Sequence, residues 1–124
     1  MKFLDLFGRL KSVVIGIIHV QALPGTPLGG MKISHIIEEA CREAEIYHNA
    51  GIDGLIIENM HDIPYSFSVG PEVCASMTAV CAAVRGLCPS LPLGVQILSA
   101  ANRPALAVAL ASGFASGFAS VTSL

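Results

Sequence analysis

A few polar side chains end apolar runs in this sequence, and they are the residues that could do chemistry. His19 closes Ile15-Gly16-Ile17-Ile18. Glu58 and Asn59 close Leu55-Ile56-Ile57, with His61 and Asp62 just beyond. Gln96 follows Leu93-Gly94-Val95, and Asn102 lies a few residues on. A histidine beside a carboxylate is an acid/base pair, because imidazole titrates near neutrality and a carboxylate can hold its tautomer. The pattern predicts His19 as base and Glu58 as its orienter. Asn59, Asp62, Gln96 and Asn102 would hold ligand hydroxyls. A structural reading stands beside this one: a histidine at a strand end can be a hydrogen-bonded core residue, and Asp62 before Ile63-Pro64 can simply form a turn. His19, Glu58, His61 and Asp62 are metal-ligand types, but no HxH or HExxH spacing joins them, so no metal site is expected. Gly29-Gly30 lacks the Lys-Ser/Thr of a phosphate loop and reads as a flexible connection. The sequence leaves the identity of any cofactor unknown.

The elements that must position these residues follow from the apolar pattern. Val13 to His19, Asp53 to Glu58 and Leu93 to Leu98 are apolar without alternation, as expected of strands buried on both faces of a parallel sheet. Between them lie helical patterns. One runs from about Ser34, a candidate N-cap, to Ala50. Its stripe is Ile36, Ile37, Ala40, Cys41, Ala44 and Tyr47, with Glu38 and Glu39 near its start and Gly51 as the left-handed stop. The second opens at Gly70-Pro71-Glu72 and runs to about Leu87, with Val73, Met77, Val80, Cys81 and Val84 facing inward. The third runs from about Pro104 to Ala111. Strand and helix thus alternate three times, which predicts an α/β fold with parallel strands. The strand ends then lie together, where such folds build sites.

The flanks depart from this pattern. Residues 2–11 fit a short amphipathic helix, with Ser12 as the break. Lys2, Arg9 and Lys11 surround its apolar positions in the manner of a weak organelle-targeting segment, but Asp5 and the lack of a serine-rich extension favour a helix packed on the domain. A cytoplasmic location is expected, with the mitochondrion as the alternative. Residues 114–124 form an atypical tail that continues the tandem Ala-Ser-Gly-Phe repeat begun at Ala111, poor strand material where a fourth buried strand is called for, so a frayed end is expected, with a strand from Phe118 to Leu124 as the alternative. The chain reads as one partial domain, with three βα units over residues 13–113.

Composition narrows the function classes. Of the 124 residues, 53% are hydrophobic and 13% charged, the latter roughly half the usual share. A net charge of −2 and no tryptophan argue against nucleic acid as a partner. No apolar run is long enough to span a bilayer. Cysteines 41, 74, 81 and 88 form no CxxC pair and read as small apolar residues in a reducing compartment. His35 and His48 lie away from the strand ends and should face solvent.

Several blocks together resemble the BtpA family: Gly16-Ile17-Ile18-His19 with Leu23-Pro24-Gly25-Thr26-Pro27, then Ala50 through Tyr65, Val69-Gly70-Pro71-Glu72 and Pro92 through Leu98. The family takes its name from a cyanobacterial member implicated in photosystem I biogenesis. The resemblance implies a TIM barrel of the ribulose-phosphate-binding type and a small phosphorylated or nucleoside-like ligand. It also leaves open a non-catalytic role in assembling a larger complex. A full barrel needs roughly 250 residues and builds its phosphate site after strands 7 and 8. Residues 1–124 are therefore expected to be a truncated, incomplete form, inactive by itself. Its inner sheet face would be wet and its sheet edge open to self-association.

Overall fold

A computed structural model describes residues 7–8, 12–24, 29–59, 70–97, 102–114 and 118–120. In chain order these form β1 (Ile15–His19), α1 (Ile33–Asn49), β2 (Gly54–Glu58), α2 (Pro71–Leu87), β3 (Leu93–Gln96), α3 (Asn102–Ala111) and β4 (Phe118–Ser120). All strand pairs are parallel and the sheet order is β1-β2-β3-β4. The expected α/β alternation is present. The tail takes the alternative rather than the frayed end: Phe118–Ser120 pairs with β3 despite its weak strand composition. An exposed parallel edge supplies hydrogen-bonding partners that outweigh low intrinsic preference. Of the expected N-terminal helix, only Phe7 and Gly8 are described, and Phe7 is helical.

The helices cover one face of the sheet. Ile18, Leu55, Ile57, Leu93 and Val95 are fully buried there, in one cluster with Ile36, Ala44, Met77, Val80, Val84 and Val108 from the helices. The inward stripes expected for α1 and α2 are the ones that pack. On the opposite face, register groups Ile15, Ile17 and His19 with Gly54, Ile56, Glu58, Gly94 and Gln96. Ile17 is 43% exposed and Ile15 is exposed as well. Phe7 reaches the N-terminal end of this face, where a Cβ added at Gly54 would lie 3.4 Å from its ring.

The helix ends show which local signals prevail. α1 starts at Ile33 rather than at a Ser34 cap. Lys32 is the N-cap residue and no side chain caps the helix. Ile33 packs against the core, and the helix starts two residues earlier than a Ser34 cap would set it. Glu38 and Glu39 consequently fall beyond the first turn, which carries no acid. At the other end Gly51 has φ +80°. Its N–H donates to His48 O at 3.1 Å and that of Ile52 to Tyr47 O at 3.2 Å, which is a Schellman stop.

Candidate functional site

Parallel pairing brings the strand-end residues into one row. His19 is the register partner of Glu58, and Glu58 that of Gln96. Residues opposed in register share a face, so the three stand side by side on the face the helices do not cover. Nε2 of His19 lies 3.3 Å from Oε2 of Glu58. The His19 side chain is 40% exposed and that of Glu58 only 9%. The carboxylate is thus held in the sheet while the imidazole leans into open space. The Val20 N–H donates to Glu58 O at 2.9 Å, which carries the β1–β2 pairing past the pair and holds both backbones.

Asn59 follows Glu58 and is 1% exposed. Gln96 is half-buried at the end of β3. Asn102 opens α3. Asp62 and His61 lie outside the described residues. The register thus sets His19, Glu58 and Gln96 side by side at the strand ends, and Asn59, next to Glu58 in the chain, is buried. Among the described residues no cluster of three or more His, Cys, Asp or Glu could hold a metal ion. His35 and His48 are exposed on α1.

Two residues that hold this site in place carried no signal of that role in the sequence. The Asp53 carboxylate accepts the Val14 N–H at 2.8 Å, while the Asp53 N–H donates to Val14 O at 3.0 Å. This two-way contact sets the register of β1 on β2, and hence His19 opposite Glu58. Tyr47 lies over Gly16 and its hydroxyl donates to Ile17 O at 3.1 Å. Both contacts join residues some 30 to 40 positions apart, beyond the reach of local pattern. Periodicity identifies Tyr47 only as the end of an apolar stripe.

The cysteines take no part in the row. All four are free. Burial pushes the Cys81 thiol up to about 12. Burial also raises Cys41 and Cys88; Arg85 opposes the rise at Cys88. Among the described residues no helix is long and apolar enough to cross a membrane.

The chain matches the model of the BtpA family over residues 10–124. It is 42% identical to an uncharacterized protein of Caenorhabditis elegans, whose name carries the word mitochondrial, over 84% of this chain and 39% of that protein. It is 42% identical to an uncharacterized protein of Pyrococcus furiosus over 71% of this chain and 33% of that protein. It is 33% identical to the photosystem I biogenesis protein BtpA of Synechocystis over 86% of this chain and 38% of that protein. The chain thus spans about two fifths or less of the length of these relatives. No solved structure matches. With the family model covering the strand-end residues and the βα units that carry them, the chain belongs to the BtpA family.

Proposed function

We propose that this chain forms one side of a small-ligand site of the ribulose-phosphate-binding TIM-barrel type, with His19 and Glu58 as its proton-handling pair. The observation that carries the reading is the 3.3 Å contact between them at the C-terminal ends of adjacent parallel strands, the end at which α/β folds bind ligands. His19, the exposed member, takes a proton from a ligand hydroxyl. Glu58 orients the ring and balances its charge once protonated. Asn59 and Gln96, with Asp62 and Asn102, hold the ligand's other hydroxyls. None of these residues is a cation. The rim therefore suits the sugar- or nucleoside-like end of a phosphorylated ligand better than its phosphate. Barrel sites draw catalytic groups from several strands, so the 124-residue chain by itself binds without turnover.

The test is a titration of the chain with ribose 5-phosphate, ribulose 5-phosphate and adenosine, followed through the imidazole resonances of His19. One of the three should shift them saturably. Glu58→Gln should weaken that response about tenfold, the loss expected for one charge-assisted hydrogen bond. No saturable shift, or an unchanged response in Glu58→Gln, would sink the reading.

A second reading is a non-catalytic assembly or maturation factor for a larger complex. The name of the Synechocystis relative favours it. It predicts recovery of a protein partner that Glu58→Gln leaves bound. We place the chain in the cytoplasm, with the mitochondrion as the alternative raised by the name of the Caenorhabditis relative.

A further inference from the structure

We propose that Ser120, at the end of β4, is a fourth ligand-binding residue of the His19, Glu58 and Gln96 row, and that the moiety lying across all four is a nucleoside. This rests on the reading of the row as a ligand site given above.

The register places Ser120. His19 pairs with Glu58, Glu58 with Gln96, and Gln96 with Ser120. All four strands therefore end on a polar residue at one level of the sheet. Residues opposed in register share a face, so position 120 falls on the face of the row, the one the helices do not cover. Ala119, the preceding residue, is opposed to Val95, which is buried among the helices. The alternation of β4 thus agrees with that of β3. Nothing local distinguishes Ser120 from the other serines of its Ser/Gly-rich tail. Pairing with β3 alone singles it out.

Length and charge select the ligand. Adjacent strands lie about 4.8 Å apart, so positions 19 and 120, three strand spacings apart, are separated by about 14 Å along the sheet. A pentose is too short to meet both ends of such a row. A pentose phosphate is long enough, but the row holds one carboxylate and no lysine or arginine to receive its dianion. A ribose joined to an uncharged base has the length without the charge.

The two halves of the row differ in the same sense. Glu58 and His19 suit the hydroxyls of a ribose. An amide and a hydroxyl, the groups of Gln96 and Ser120, each donate and accept, as the polar edge of a base requires. One layer further from the strand ends, register opposes Ile17 to Ile56 in the first half and Gly94 to Phe118 in the second. The aromatic residue falls in the half assigned to the base, the moiety with a π-face to match it.

Titration of the 124-residue chain with adenosine, ribose and ribose 5-phosphate tests this, followed through the His19 imidazole and the Gln96 side-chain amide resonances. Adenosine should shift both sets saturably and ribose the His19 set alone. Ribose 5-phosphate should bind less tightly than adenosine. Ser120→Ala should weaken adenosine binding about three- to tenfold, the loss of one neutral hydrogen bond, and leave the ribose response unchanged. Ser120→Thr keeps a hydroxyl and suits a strand, so it should bind adenosine as the native chain does. Ser90→Ala, in the exposed turn before β3, should change nothing. Tighter binding of ribose 5-phosphate than of adenosine, or equal adenosine binding by Ser120→Ala and the native chain, would overturn the proposal. So would equal losses in Ser120→Ala and Ser120→Thr, the mark of a disturbed β4 rather than a lost ligand contact. A ligand response that depends on Glu58 but ignores Ser120 sinks this proposal and leaves the proposed function standing. No response to any of the three sinks both.

Discussion

Gly16 shows how much of this site depends on one missing side chain. A Cβ there would come within 2.7 and 2.8 Å of the Tyr47 ring and 3.0 Å of a Leu55 methyl. The ring can lie over position 16, with its hydroxyl on Ile17 O, only because that position carries no side chain. Gly16→Ala is expected to lower stability by about 1–3 kcal/mol, the usual cost of overpacking. Urea unfolding would measure it. Tyr47→Phe, which keeps the ring and loses only the hydroxyl, should cost about 1 kcal/mol. The sequence marks His19, Glu58 and Gln96 as candidates because each ends an apolar run. It carries no mark of Gly16 against Tyr47 or of Asp53 against Val14, because those pairs meet only after β1, α1 and β2 have packed.

At the scale of elements, local signals succeed where backbone conformation alone decides. Gly51 stops α1 because its φ of +80° is one a Cβ resists. Nothing crowds the position, so Gly51→Ala isolates the backbone term. It should cost about 1–2 kcal/mol, read as a lowered thermal midpoint. Pro71 opens α2, as expected of a residue that needs no N–H partner in the first turn. Local signals give way where burial competes: Ser34 is displaced from its cap by the packing of Ile33, and the Ser/Gly-rich tail pairs at Phe118–Ser120 because β3 offers an edge. Arg85 belongs to the same class. Its Nη1 donates to the carbonyls of Cys88, Pro89 and Leu91 at 3.3, 3.0 and 2.9 Å, and its guanidinium lies 5.3 Å from the Phe114 ring centre. It thereby ties the end of α2 to the end of α3. In the sequence it is one cation in the last turn of a helix.

At the scale of the whole molecule, the buried thiols impose a pH dependence. Cys81 has its folded value raised from 9.0 to about 12 by burial, and Cys41 and Cys88 move in the same direction. A folded value above the unfolded one means that the unfolded chain releases these protons first. The stabilisation is full below pH about 9 and is lost as pH rises toward about 12. Thermal midpoints should therefore fall between about pH 8 and about pH 10.5, and less steeply in Cys81→Ala than in the native chain. Equal slopes would show that other groups govern the alkaline limb.

The sequence by itself determined the α/β alternation, the inward stripes of α1 and α2, and the strand ends that carry His19, Glu58 and Gln96. Those follow from residue type and spacing within one segment, where period and stop signals act directly on the backbone. The tertiary structure decided the in-register pairing that sets His19 3.3 Å from Glu58, the Asp53 and Tyr47 contacts that hold it, and the fourth strand. It also decided which sheet face stays bare. An unbroken apolar run looks the same from both sides. Only the packing of three helices onto Ile18, Leu55, Ile57, Leu93 and Val95 makes Ile15 and Ile17 the uncovered ones.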